Sequence, residues 1–229
     1  MFIGHFALAF AAKRATPRLP LAVLFTAVAW ADIVWPVLVA TGIEQVRIAP
    51  GDTAFTPLAF VSYPYSHSLV MLVAWGVALG LIYRIAAGRN GRSVAVLAAL
   101  VVSHWLLDFV SHRPDMPIYP GGRTFGLGLW NSIQATLAVE VAMYAAGVWV
   151  YAQATEPRDR IGRWSFISLA VFLIVAYAAN IAGGPPPSVF VLWVSAIAGT
   201  GVLLAWAGWA DRHRAMSASS GSRKSRKTG

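Results

Sequence analysis

Residues 103–112 read SHWLLDFVSH and end a long apolar stretch, yet they include His104, Asp108 and His112. These three residues follow one another at intervals of four. Because an α-helix has about 3.6 residues per turn, the spacing predicts that their side chains share one helical face. Ionisable side chains are costly in the hydrocarbon of a membrane, and they mark functional sites there. The segment therefore predicts a membrane helix whose polar face has a partner.

The composition of the whole chain is that of a polytopic membrane protein. Of its 229 residues, 58% are hydrophobic and only 12% are charged. A soluble globular domain is about 25% charged. The sequence has no cysteine, which excludes disulfides and thiolate metal sites.

Six apolar stretches, each near the length that spans a bilayer, follow a shorter N-terminal one. They comprise residues 21–43, 66–83, 93–111, 128–152, 164–183 and 189–210. Residues 2–12 are too few to span, so we expect a half-length helix that is either interfacial or re-entrant. The sequence thus predicts an all-α membrane helix bundle of about six transmembrane helices, forming one domain over residues 1–212. We expect the low-complexity segment 213–229 to be a basic, disordered cytoplasmic tail.

The basic residues fall mainly in alternate connections between these stretches. Three Lys or Arg lie in each of the segments 13–18, 84–92 and 158–163, and six lie at 212–227. The intervening connections hold only Arg47, Arg113 and Arg123. By the positive-inside rule, both termini should face the cytoplasm from the inner (plasma) membrane. The net charge of +9 is then a topology signal that favours contact with membrane lipids over nucleic acid.

Several ionisable residues lie within or beside the apolar stretches. They are His5, Asp32, His67, His104, Asp108, His112 and Glu140. No Lys or Arg lies inside these stretches to pair with the carboxylates, so acids accompanied by imidazoles predict a bound cation. His and Asp are suitable zinc ligands, and a hydrolytic zinc keeps one position open for water.

From the residues alone, the predicted metal ligands are Asp32, His67, His104 and Asp108, around a divalent ion such as zinc. A helix rises about 1.5 Å per residue, which places the group between the midplane and the outer surface, with an opening away from the cytoplasm. His112 is either a further ligand or a solvated residue at the rim. Glu140 either orients a histidine or pairs with Asn131 or Gln134.

Other interpretations of the same residues stay open. Intramembrane carboxylates and histidines also form the proton or cation path of a transporter. A third alternative is a non-catalytic scaffold in which these residues only hydrogen-bond between helices. An enzyme predicts convergent ligands in a blind pocket, whereas a scaffold predicts separated polar residues. Aromatic residues near the ends of the stretches, Tyr63 and Tyr65 among them, are typical of a membrane-interface belt.

Four motifs within about residues 1–150 resemble a known family. MFIGHFALAF, ADIVWP, YSHSL and SHWLLDFVSHRPD are similar to sequences of the predicted membrane-bound metal-dependent hydrolases, described as SOS-regulated inner-membrane proteins. That family resembles in turn the zinc-dependent phospholipase C and single-strand nuclease superfamily of helical proteins. The resemblance adds His5 to the predicted metal ligands and implies phosphoester hydrolysis.

The chain also departs from the soluble members of that superfamily. They use a free N-terminal amine and a further pair His-x3-Glu, whereas Thr136 stands four residues before Glu140 here. One or two metals are therefore expected rather than three.

The connection HRPDMPIYPGGRTFG at 112–126 would cover the site on its outer side. Arg113 suits phosphate recognition, while Arg123 fits an interfacial anchor better. Asp115 is a ligand, a base or a turn cap. The sequence-based hypothesis is a metal-dependent hydrolase of phosphoesters, in which Asp32 and Asp108 act at the metal and Arg113 holds the phosphate; a lipid is one substrate of that class.

Overall fold

The computed structural model describes residues 1–88 and 91–217, and it is mostly helical. Arg89 and residues 218–229, which belong to basic segments discussed above, lie outside the described residues. The helices are α1 (Ile3–Ala15), α2 (Leu21–Val28), α3 (Trp30–Ala40), α4 (Pro64–His67), α5 (Leu69–Ala87), α6 (Gly91–Ser111), α7 (Ile133–Ala154), α8 (Arg160–Ala182) and α9 (Val189–Arg212).

In the described part of the chain, three short antiparallel strand pairs and one 3-10 turn lie at the ends of the bundle. They are β1 (Gln45–Ile48) with β2 (Leu58–Ser62), β3 (Met116–Pro117) with β4 (Thr124–Phe125), β5 (Thr155–Pro157) with β6 (Arg214–Met216), and the turn Leu129–Asn131.

Among the described residues, five helices are long and apolar enough to cross a membrane. The pair formed by α2 and α3 makes a sixth if it counts as one span. These two helices are bent by 56° where Ala29 separates them, a geometry that fits either a broken span or a re-entrant loop. Pro36 lies inside α3, and the break comes before it.

Side-chain caps explain where several helices begin. Ser68, Ser132 and Ser188 each accept a hydrogen bond from the backbone N–H three residues later, at the starts of α5, α7 and α9. The cap at Ser132 corrects the predicted span 128–152, because the chain before it forms the 3-10 turn. The cap at Ser68 likewise separates α5 from α4, so His67 lies on a short helix of its own.

Close helix pairs use small residues, as is usual where lipid provides no hydrophobic drive for association. A Cβ atom at Gly76 or Gly80 of α5 would lie 2.8 Å from a Cα atom of α6. One at Gly147 of α7 would lie 2.3 Å from the Ala7 carbonyl oxygen of α1. Helix α1 is therefore held against α7, enclosed by the bundle.

The two ends of the bundle differ in charge. At one end, Lys13 donates a hydrogen bond of 2.7 Å to Asp211, and Arg92 lies against the Ala15 carbonyl. Strand β6 pairs with β5 at the same end, and Arg214 is buried there. Residues 214–216, the first part of the predicted tail, therefore pair with the helical domain beyond the predicted boundary at residue 212.

The opposite end carries β1, β2, β3, β4 and the 3-10 turn. Here Phe55 donates a backbone hydrogen bond to the Trp130 carbonyl, and Arg113 pairs with Asp52. The N-terminal end of α1 lies toward this side, because the Met1 amino group contacts Asp108 and Ser111 in the last turn of α6. The re-entrant placement of α1 and the cytoplasmic location of the termini stay predictions.

Candidate metal centre

The polar face predicted for α6 is present. His104 Nε2 lies 3.1 Å from Asp108 Oδ2, and His112 Nε2 lies 3.9 Å from the same oxygen. His112 follows the last residue of α6, and its backbone N–H still donates to the Asp108 carbonyl, which extends the helical turn. All three side chains are buried.

Three other helices bring side chains to this face. From α1, His5 Nε2 lies 3.1 Å from Asp108 Oδ1. From α4, His67 Nε2 lies 3.9 Å from Asp108 Oδ2. From α3, Asp32 Oδ1 lies 3.7 Å from His67 Nε2 and 3.8 Å from His104 Nε2. The fold thus assembles the His/Asp cluster, which we define as His5, Asp32, His67, His104 and Asp108.

Three histidines share one orientation toward Asp108. Each places Nδ1 on an oxygen outside the cluster and Nε2 toward the Asp108 carboxylate. The Nδ1 contacts are His67 with Ser66 Oγ at 2.7 Å, His104 with the Val28 carbonyl at 2.7 Å, and His112 with Asp115 at 3.1 Å. A carbonyl or carboxylate only accepts, so Nδ1 of His104 and His112 carries a proton, and in the neutral imidazole Nε2 then has a lone pair. Metal-binding histidines are held in this way.

The break between α2 and α3 contributes directly to this arrangement. Val28 ends α2, and its carbonyl oxygen accepts the hydrogen bond from His104 Nδ1. The bend also puts Asp32 in the first turn of α3, where the positive end of the helix dipole stabilises a carboxylate. A continuous span would not supply this free carbonyl at the centre.

The geometry of the cluster fits a divalent metal. Two groups of three side chains have their ligand atoms within 4.8 Å of one another: His5, His104, Asp108 and Asp32, His67, His104. Two ligands of a tetrahedral zinc lie roughly 3.3–3.6 Å apart, given bonds of about 2.0–2.2 Å. The separations of 3.1–3.9 Å bracket that value.

Two buried imidazole nitrogens of the cluster also lack a hydrogen-bond partner. They are His104 Nε2 and His5 Nδ1. His104 Nε2 is close to Asp108 Oδ2 but is not placed for a hydrogen bond with it. A buried polar atom without a partner is costly, and a bound ion would satisfy the nitrogen of His104.

A cation that is neither Lys nor Arg, the Met1 amino group, lies at the site. It lies on Asp108 Oδ1 and 3.1 Å from Ser111 Oγ, with both charged groups buried. Asp108 is therefore paired on one oxygen, while its other oxygen faces the histidines of α4 and α6. Among the described residues, no Lys or Arg pairs with Asp32 or Asp108.

Neither role expected for Glu140 is correct. This fully buried carboxylate accepts hydrogen bonds from the backbone N–H groups of Phe2 at 2.8 Å and Gly4 at 3.1 Å. These groups stand at the start of α1, where a helix has no internal acceptors for them. Glu140 thus caps α1 from α7, and it holds in place the helix that carries His5.

A polar network covers the outer side of the His/Asp cluster. Tyr63 donates from its hydroxyl to Asp115 Oδ1 at 2.6 Å, and the same oxygen accepts from His112. Arg113 binds Asp115 Oδ2 at 3.0 Å and also pairs with Asp52. Burial alone would raise the pKa of the Asp115 carboxyl, but the hydrogen bonds from His112, Tyr63 and Arg113 outweigh burial and lower it.

The polar network changes the roles expected for Arg113, Tyr63 and His112. Arg113 is engaged by two carboxylates, so phosphate binding by this residue stays a prediction that requires it to exchange a partner. Tyr63 is buried and hydrogen-bonded, which corrects its assignment to an interface belt. Asp115 acts as an acceptor for His112, so His112 belongs to the rim network as well as to the face of α6.

The cluster is open at Asp32. The side chain of Asp32 is 49% exposed, whereas those of the other four members are no more than 3% exposed. Asp32 is therefore the most exposed member of the cluster.

Neither a family model nor a curated protein matches the sequence, and no solved structure matches the fold. The family resemblance of the motifs therefore stays a prediction.

Proposed function

We propose that the protein is a membrane-embedded metal-dependent hydrolase whose centre is the His/Asp cluster. The observation that carries the proposal is the common orientation of His67, His104 and His112. Each presents Nε2 to Asp108 and engages Nδ1 with an outer oxygen. Buried histidines that only joined helices would not need to converge on one carboxylate.

The residues divide into those that would hold the metal and those that would handle the substrate. His67, His104 and Asp108 Oδ2 would hold one divalent ion, with zinc as the expected metal, and Asp32 would border its open position. When bound, such an ion supplies Lewis-acid activation of water and stabilises developing negative charge. His5 lies on the other oxygen of Asp108, and His112 stands at the outer edge of the same group.

Asp32 is the side chain placed to meet water and substrate, because it borders both the cluster and the opening. We infer that its carboxylate takes a proton from the attacking water as the ester bond is cleaved. The choice of a phosphoester as substrate rests on the family resemblance. The side facing away from the cytoplasm, inferred from the basic residues, would supply that substrate.

Hydrolysis by the zinc-loaded, full-length protein in detergent tests the proposal. Two probes are suitable: bis(p-nitrophenyl) phosphate in solution, and phosphatidylglycerol in mixed micelles. Asp32→Asn should lower the rate at least about 100-fold, which is the smaller end of what proton transfer by a positioned group contributes. Asp159→Asn makes the same chemical change at the exposed cap of α8 and should leave the rate unchanged.

The same assay can refute the hydrolase. The proposal is contradicted if wild type and both variants give equal background rates with both probes. A different result would identify a transporter. In that case the wild type would carry zinc or protons into proteoliposomes without hydrolysing either probe, and Asp32→Asn would abolish the flux.

A further inference from the structure

Glu44 is a buried carboxylate directly behind His67. It lies between α3 and β1, is 1% exposed, and forms no ion pair with a described Lys or Arg. Its Oε1 accepts the backbone N–H groups of Tyr65 at 2.8 Å and Ser66 at 2.9 Å. These groups belong to the first turn of α4, where helical partners are lacking. Its Oε2 accepts the Ser66 hydroxyl at 2.6 Å.

The directions of these hydrogen bonds decide the tautomer of His67. A serine hydroxyl has one proton, and an ionised carboxylate only accepts, so the Ser66 proton goes to Glu44. Ser66 Oγ must then accept from His67 Nδ1, which lies 2.7 Å away. Nδ1 carries the proton, and Nε2 has its lone pair directed toward Asp32 and Asp108.

His67 differs in this respect from His104 and His112. His104 donates to a backbone carbonyl and His112 donates to a carboxylate, and neither acceptor can reverse its role. The partner of His67 is a hydroxyl, which can either donate or accept. The direction of this one link therefore depends on the charged group behind it.

We propose that Glu44, acting through Ser66, is a positioning residue that keeps His67 in the tautomer able to bind the metal. The inference rests on the proposed metal centre. It adds Glu44, which no motif of the sequence includes, and it gives a role to Ser66 of the motif YSHSL. Outer partners of metal-binding histidines change metal affinity about 10–100-fold when they are replaced. We expect an effect of that size for the variant that reverses the link.

Glu44→Gln is that variant. The two backbone N–H groups should hold the amide oxygen at the position of Oε1, so the amide NH2 faces Ser66 Oγ and donates to it. Ser66 then donates to His67 Nδ1, and the imidazole proton moves to Nε2. Zinc affinity should fall about 10–100-fold with α4 still capped.

Removing Ser66 distinguishes two roles of Glu44: positioning His67 and supporting α4. Ser66→Ala leaves His67 Nδ1 without this partner but allows either tautomer, so we expect a smaller loss of zinc affinity than for Glu44→Gln. The double variant cannot transmit the reversal, so it should bind zinc more tightly than Glu44→Gln alone. If Glu44 only supported α4, the double variant would bind zinc no better than Glu44→Gln.

The experiment combines zinc titration against a chelator with nitrogen NMR of the full-length, metal-free protein labelled in histidine with ¹⁵N. The signals of His67 are assigned by their loss in His67→Gln. Wild type should show the proton on Nδ1 of His67, and Glu44→Gln should show it on Nε2. Glu156→Gln is the matched control, because Glu156 also accepts a serine hydroxyl, that of Ser217, far from the cluster.

Two results would overturn the inference: an unchanged His67 tautomer in Glu44→Gln, or a double variant no better than Glu44→Gln in zinc affinity. Failure of the metal centre itself gives a different pattern. In that case wild type binds no zinc at all, while the tautomer in metal-free protein still reports on Glu44 and Ser66.

Discussion

Asp108→Asn is expected to lower the zinc affinity of the full-length protein more than about 100-fold, beyond the range for outer partners. The carboxylate of Asp108 lies within 4 Å of Nε2 of every histidine on the polar faces of α1, α4 and α6. Asparagine keeps the shape of the side chain but removes its charge and one ligand oxygen. Zinc per chain after dialysis, at neutral and mildly acidic pH, measures the loss.

The pH dependence of wild type has a definite sign. A histidine nitrogen must be unprotonated to bind a metal, so protons compete with zinc for the cluster. Zinc affinity should therefore fall as the pH is lowered from about 7.5 to about 5.5 and recover when it is raised.

A second variant is needed because Asp108→Asn also removes the partner of the Met1 amino group. His104→Gln deletes Nε2 and leaves that ion pair intact, and it too should lose most of the zinc. Asp159→Asn, at the cap of α8, should retain all of it. If Asp108→Asn and His104→Gln both fold and both keep wild-type zinc affinity, the cluster is not the metal centre.

Lys13→Met is expected to lower the free energy of unfolding by about 3–5 kcal/mol, the usual cost of removing one partner of a buried ion pair. Lys13 Nζ binds Asp211 at 2.7 Å and the Leu19 carbonyl at 2.9 Å, and both charged side chains are largely buried. The pair fastens the C-terminal end of α1 to α9. Unfolding by SDS in mixed micelles measures the change.

Arg14 is the matched control for this prediction. It is the next residue, is also basic, and is exposed. Arg14→Met should change stability by no more than about 0.5 kcal/mol. Combining Lys13→Met with Asp211→Asn should recover part of the loss, because no unpaired buried charge remains. Equal effects of Lys13→Met and Arg14→Met would show that the pair does not anchor α1.

The helix-level fold was predictable because membrane spans have a strong compositional signal. Helices α5, α6, α8 and α9 lie where the apolar stretches placed them. The break at Ala29 was not predictable, since the sequence there has neither Gly nor Pro. It is stabilised by a tertiary contact, the hydrogen bond from His104 to the Val28 carbonyl, which no local pattern encodes.

The cluster was predictable in its members because ionisable residues are rare in apolar stretches. Asp32, His67, His104 and Asp108 could be named for that reason, and the intervals of four fixed the polar face of α6. Glu44 lies outside every apolar stretch, so its burial had no local signal. Its one available sign was the scarcity of acids, since the chain has only nine Asp and Glu residues.

The Met1 amino group and Glu140 illustrate a different limit. Any chain begins with an amino group, so only the tertiary position of Met1 beside Asp108 makes it part of the site. Glu140 was recognisable as an unusual intramembrane acid, but its partners are backbone groups of α1, 136 and 138 residues away in the sequence. Backbone donors of a distant helix cannot be identified from side-chain spacing.

The most direct test of the metal centre is anomalous scattering at the zinc edge. The crystals would contain the full-length protein prepared with zinc and without chelator. We expect an anomalous peak about 2.0–2.2 Å from His67 Nε2, His104 Nε2 and Asp108 Oδ2. Crystals of Asp108→Asn should lack it. If the cluster shows no anomalous peak, whether zinc lies elsewhere in the crystals or nowhere, the His/Asp cluster is not a zinc site.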